Sequence, residues 1–217
     1  FEKTGQKLLL AAPTGRAAKR MSEATGRDAS TIHRLLEVNG EIEEKGHSRF
    51  ERNEENPLEA DVVIIDEMSM VDIFLMDSLL LALVKGCRLI LVGDVNQLPS
   101  VGAGNVLKDM IASKEFAVVK LTKIFRQTNQ SNIVVNAHKI NAGEVIELSN
   151  KYTDFCFLEK HQVTEVAGIV VHMVKEVLPK HFKISPMEIQ VLSPMKKGEL
   201  GVEYLNKVLQ NNLNPPD

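Results

Sequence analysis

Asp61-Val62-Val63-Ile64-Ile65-Asp66-Glu67-Met68-Ser69-Met70 is the stretch on which the fold turns. Four consecutive β-branched residues describe a strand covered on both faces, as in a parallel sheet flanked by helices, not the alternating pattern of a strand with one wet face. The run then breaks into two adjacent carboxylates, Asp66 and Glu67. Ligands of open α/β sheets bind beyond the carboxyl ends of the strands, so this pair stands where chemistry is expected. If the strand continues through the pair, alternation points one carboxylate toward a cation and the other toward a substrate or water. Taken alone, the same pair also fits a helix cap or a solvated turn.

Composition bounds the answer. The chain has 217 residues, 44% hydrophobic and 25% charged, enough for one α/β domain with a real core and part of another. A net charge of −3 leaves no global positive field, so any nucleic-acid contact must come from local clusters. Cys87 and Cys156 form no CxxC pair, which suits reduced thiols in a cytoplasmic protein and hints at no cysteine metal site. No apolar run is long enough to span a membrane. The chain opens on Phe1 and closes on Asn214-Pro215-Pro216-Asp217, as expected of a piece of a longer protein.

Around the acidic strand the elements alternate. Lys7 to Ala12 reads as a strand, Pro13-Thr14-Gly15-Arg16 as a turn, and Ala17 to Met21 as helix. Such a turn offers backbone amides, the Thr14 hydroxyl and Arg16 to an anion, with Lys19 and Arg20 adding charge; a solvated helix face is the alternative. A short helix capped by Ser30 or Thr31 follows, and His33 within it is given no chemical role. From Val38 to Pro57 the chain is polar, with Asn39-Gly40 as a turn signal, and reads as a protruding hairpin or an acidic loop. Met70 to Gly86 has helical spacing with Asp72 as a cap. Arg88 to Val92 is expected to be a second buried strand, running into the Gly- and polar-rich loop Gly93 to Gly104, where Gln97 is placed to sense a phosphate or a polarised water. Phe116 to Leu121 reads as a further strand with Arg126 beyond its exit, and Asn132 to Gly143 as a helix. The remainder repeats the alternation: strands at Asp154–Leu158 and Glu188–Leu192, helices at Thr164–Lys180 and Leu200–Leu213, and a basic turn with Lys196 and Lys197.

Four segments in this order resemble the motifs of superfamily 1 DNA helicases: Ala12-Pro13-Thr14-Gly15-Arg16-Ala17-Ala18, Ile65-Asp66-Glu67-Met68-Ser69-Met70, Gly93-Asp94-Val95-Asn96-Gln97-Leu98-Pro99-Ser100-Val101 and Leu121-Thr122-Lys123-Ile124-Phe125-Arg126-Gln127. The second has the form of a Walker B element with a catalytic Glu. Gly15-Arg16-Ala17-Ala18, Thr31-Ile32-His33-Arg34-Leu35-Leu36 and Ser193-Pro194-Met195-Lys196-Lys197-Gly198 are similar to the RecD branch, the exodeoxyribonuclease V alpha-subunit-like helicases.

The resemblance implies an α/β fold of the P-loop NTPase type. A RecA-like parallel sheet would occupy residues 1–145 with a strand-splitting hairpin at about 38–57, and a second RecA-like domain would begin over 146–217. It implies a motor that binds ATP and Mg²⁺ and moves along single-stranded DNA from 5′ to 3′ in DNA repair and recombination. Asp66 would hold Mg²⁺, Glu67 would position or deprotonate the attacking water, and Gln97 and Arg126 would contact the γ-phosphate. Thr14 and Arg16, with the loop around Val101 and Gly102, would line the DNA path, and Lys196 and Lys197 would belong to the second domain's DNA face. Other subunits of a helicase–nuclease complex are the implied protein partners, with no membrane. The chain departs from the pattern in having no GxxxxGK[ST], so this segment alone is not expected to hydrolyse ATP. A helicase module within a conjugative relaxase and a non-hydrolysing DNA-binding scaffold are the alternatives, and the intact Asp66, Glu67, Gln97 and Arg126 argue against the scaffold.

Overall fold

A computed structural model describes residues 2–42, 48–121, 131–146, 148 and 154–215. They fall into two compact units, one from the chain up to residue 125 and one from 126 onward.

The first unit is built on a four-stranded sheet, β1 (Leu8–Ala12), β2 (Ala29–Thr31), β5 (Val62–Ile65) and β6 (Arg88–Leu91), in the order β2-β1-β5-β6 with every pairing parallel. The acidic run forms the inner strand β5, where Val62, Val63 and Ile65 are fully buried. Each such side chain contributes about 1.5–3 kcal/mol relative to exposure, which is why a β-branched run fixes the centre of the sheet.

The helices begin where their caps predict. Thr14 caps α1 (Gly15–Thr25) by accepting from the Ala17 amide at 3.2 Å, and Thr31 caps the single-turn α2 (Ile32–Leu35) through the Arg34 amide at 3.2 Å. Asp72 caps α3 (Ile73–Leu81) through the Leu75 amide at 2.8 Å, and Met76 and Leu79 anchor that helix in the core. The α3 helix is shorter than its periodicity suggests. A 3₁₀ turn, Met68–Met70, precedes it, and the Ala82 carbonyl accepts from the Leu58 amide at 2.7 Å, drawing the following residues into a bridge between Leu83 and Leu58.

Between β2 and β5, the polar segment contributes β3 (Val38–Ile42) and β4 (Ser48–Phe50), paired antiparallel with Val38 opposite Phe50. Its base is tied to α2: the Arg52 amide donates to the Leu36 carbonyl at 3.1 Å, and the Arg52 guanidinium reaches the Glu37 carboxylate at 2.7 Å. His33 packs its ring against Phe50 with centroids 5.8 Å apart.

Four strand expectations fail among the described residues, the first of them in burial alone. The β6 strand is paired on one side only, so it is half-exposed and not buried, and Val92 beyond it is 47% exposed. Phe116–Leu121 forms no strand after α4 (Val106–Ser113), and Leu121 is 91% exposed. Asp154–Leu158 and Glu188–Leu192 are also not strands. β-branched composition reports fitness for a pleated, half-buried surface, and without a ladder partner it does not make a strand.

The second unit is therefore helical in its regular structure. It comprises α5 (Asn132–Asn141), α6 (Val163–His172) continuing through a π turn at Met173–Val177 into α7 (Leu178–Phe182), and α8 (Val202–Leu213). Asp154 closes the start of α5, accepting from the Ser131 hydroxyl at 2.7 Å and the Asn132 side-chain amide at 3.2 Å.

Candidate nucleotide and nucleic-acid site

Because β1, β5 and β6 are parallel, their carboxyl ends lie along one edge of the sheet, and the loops that follow them share it. Thr14 and Arg16 leave β1, Asp66 and Glu67 leave β5, and the loop with Gln97, Val101 and Gly102 leaves β6. Main-chain bonds lace the carboxylate turn to both neighbours: the Asp66 amide donates to the Ala11 carbonyl at 3.0 Å, and the Met68 amide to the Val92 carbonyl at 3.0 Å.

Strand alternation does not govern the carboxylate pair. The strand stops at Ile65, and Glu67 takes left-handed backbone, φ 54° and ψ 41°, before the 3₁₀ turn. A non-glycine residue there costs about 1–2 kcal/mol, strain of a kind that concentrates at functional sites. Asp66 accepts the Glu67 amide on Oδ1 at 2.9 Å, and both acids are half-buried. Two residues on, the buried Ser69 hydroxyl has no hydrogen-bond partner among the described residues.

On the β1 side, the Thr14 hydroxyl oxygen accepts from α1 and keeps its O–H to donate, at a helix end whose first amides lack intrahelical acceptors. Arg16 is exposed beside it. On the β6 side, Asp94 shapes the loop, accepting the Asn96 amide on Oδ1 at 2.9 Å and the Gln97 amide on its carbonyl at 3.2 Å. Gln97 and Val101 are exposed. Asp94 was not singled out from the sequence, although an Asp two residues before an Asn in a Gly-rich loop is the signature of such a turn.

Lys196 and Lys197 lie in the second unit, on the turn that precedes α8. That turn is wound tightly: a Cβ at Gly201 would stand 2.5 Å from the Lys197 carbonyl oxygen, and the Ser193 hydroxyl donates to the Leu200 carbonyl at 2.6 Å. Both lysines are exposed. Arg126 lies outside the described residues. Among the described residues no cluster of three or more metal-ligating side chains occurs, and no helix is long and apolar enough to cross a membrane.

A parallel sheet flanked by helices, with an acidic pair and a Gly-rich polar loop on its carboxyl edge, defines a nucleoside-triphosphatase-type α/β domain, and the family model described as an AAA domain matches residues 1–103. Its homologues are RecD-like helicases of superfamily 1. It is 39% identical over 214 residues to the ATP-dependent RecD2 DNA helicase of Deinococcus radiodurans, covering 99% of this chain and 27% of that protein. It is 36% identical over 156 residues to the RecBCD enzyme subunit RecD of Mycobacterium tuberculosis, covering 64% of this chain and 26% of that one. The chain thus spans about a quarter of the length of these relatives. A solved structure of Pif1 helicases at forked duplex DNA overlaps 70% of this chain and 44% of its own, at 26% identity and a TM-score of 0.46.

Proposed function

We propose that the protein carrying this chain is an ATP-driven DNA helicase that moves along single-stranded DNA from 5′ to 3′ in the cytoplasm and serves repair and recombination. Residues 1–145 would form most of its first motor domain and 146–217 the start of the second. The observation that carries the reading is the carboxylate turn Asp66-Glu67, held by main-chain bonds between the ends of β1 and β6 and sharing its sheet edge with Gln97.

Mg²⁺ fits the donor set. The ion is ordinarily held by one or two carboxylates plus phosphates and water, and Asp66 offers one half-buried carboxylate whose second oxygen has no partner among the described residues. Bound there, it would neutralise charge on the nucleotide phosphates. Glu67, which follows Asp66 on left-handed backbone, holds the attacking water and takes its proton. Gln97 and Arg126 contact the γ-phosphate and register its loss.

The DNA track follows from charge and exposure. Thr14 donates its hydroxyl proton to a phosphate and Arg16 supplies charge, the exposed Val101 and Gly102 border the strand, and Lys196 and Lys197 add phosphate contacts from the second unit. Aromatic residues make up only 5% of the chain, so phosphate contacts outweigh base stacking and binding weakens steeply with salt.

Glu67→Gln in the full-length protein tests the reading. DNA-stimulated ATP turnover is expected to fall by about 10²–10⁴-fold. Nucleotide binding should be retained; unchanged turnover would refute the assignment.

A further inference from the structure

Both ends of the loop after β6 stand on the same short segment, residues 68–73, that follows the carboxylate pair. At the near end, Val92 accepts the Met68 amide at 3.0 Å, and a Cβ on Gly93 would lie 3.0 Å from that same nitrogen. At the far end, Ala103 accepts the Ile73 amide at 2.9 Å. The Asp72 carboxylate divides its two oxygens between helix and loop. Oδ1 caps α3, and Oδ2 packs against Gly102 so closely that a Cβ there would fall 2.0 Å from it. Ser100 holds the intervening tip in shape by donating to the Gly102 carbonyl at 3.0 Å. Between the two ends, Gln97 and Val101 are exposed.

We propose that Asp72 is a positioning residue that couples the Gln97–Gly102 loop to the Asp66–Glu67 turn, so that the nucleotide-facing and DNA-facing groups shift together. The coupling rests on the function proposed above. The path is short and stiff: the Met70 amide bonds to the Glu67 carbonyl at 3.1 Å and the Val71 amide to the Met68 carbonyl at 3.2 Å, so a movement at Glu67 reaches Asp72 through one continuous turn. A side chain that only capped the helix would need one oxygen. Asp72 uses its second one to set the seat of Gly102.

Serine also caps helices but is too short to fill the space beside Gly102, so it separates the two roles. The full-length protein is compared with Asp72→Ser, Asp72→Asn and Gly102→Ala. Two readouts serve: peptide-level hydrogen exchange over residues 93–105 without ligands, and ATP turnover against single-stranded DNA concentration. For Asp72→Ser, α3 exchange and DNA-free turnover should stay within about twofold while loop exchange rises and the half-stimulating DNA concentration increases by roughly tenfold, a coupling of ordinary size. Asp72→Asn, which keeps cap and length, should behave as the parent does. Gly102→Ala should raise loop exchange as well, because the new methyl group would stand 2.0 Å from Asp72 Oδ2 and 2.8 Å from its Cβ, which leaves it no room beside Asp72. Parental loop exchange in Asp72→Ser or in Gly102→Ala would overturn the proposal. If the unmutated protein shows no DNA-stimulated turnover, the functional assignment fails, and the exchange comparison still decides whether Asp72 seats the loop.

Discussion

Gly93→Ala puts the lacing of the carboxylate turn to a quantitative test. Gly93 lies two residues beyond the end of β6, and a Cβ built on it would lie 2.9 Å from Leu107 Cδ2 and 3.0 Å from the Met68 backbone nitrogen. The leucine end can rotate away, but the backbone nitrogen cannot. The added methyl must push the Met68 turn off the end of β6, at an overpacking cost of about 1–3 kcal/mol. The same displacement breaks the 3.0 Å bond from the Met68 amide to the Val92 carbonyl, a further loss of about 1 kcal/mol. Together these amount to roughly 2–4 kcal/mol, or an opening equilibrium raised by about 30- to 700-fold. Hydrogen exchange with a peptide readout on β5 and β6 isolates this unit from the rest of the protein. Gly15→Ala is the control of opposite sign. Gly15 opens α1 without a left-handed φ, a Cβ there meets nothing within 4 Å, and alanine should gain about 0.5–1 kcal/mol of helix stability. Equal protection of β5 and β6 in Gly93→Ala and its parent would refute the close approach of the β6 end to the carboxylate turn, and with it the geometry assigned to Glu67.

Two further outcomes follow from charged contacts. Arg52→Ala should raise exchange across β3 and β4 while leaving β1 and β5 unchanged, because the guanidinium ties the hairpin base to Glu37, whose carboxylate also raises the Arg52 pKa. In the second unit, the Ser131 hydroxyl, helped by Asn132 and the Ile133 amide, holds the Asp154 carboxyl below the usual carboxylate range. A depressed folded pKa gives stability that is complete above the unfolded value and lost as pH falls through the folded one. Protection at the start of α5 should therefore be flat through neutral pH and decline only in strong acid, and Asp154→Asn should flatten that acid limb.

What could be read from the sequence divides along the range of the interactions involved. The inner strand β5 was legible because four β-branched residues in a row fit a doubly covered strand, and the caps Thr31 and Asp72 were legible because a hydroxyl or carboxylate reaches amides two or three residues away in the same chain segment. Phe116–Leu121 carries a weaker signal, two adjacent valines in an apolar run, and forms no strand among the described residues, since a ladder needs a partner and composition does not name one. The left-handed backbone at Glu67 was hidden for a related reason. Nothing in the glutamate side chain favours it, and it is imposed from outside, by the Ala11 and Val92 carbonyls taking the Asp66 and Met68 amides on either side. The chemistry of this site is thus written in side chains close together in sequence, but its geometry is set by main-chain groups more than twenty residues apart. Asp72 belongs to both accounts. Its first oxygen obeys the local capping rule and was foreseen, whereas its second meets a glycine thirty positions away, and that contact makes a helix cap part of the path between the two ends of the site.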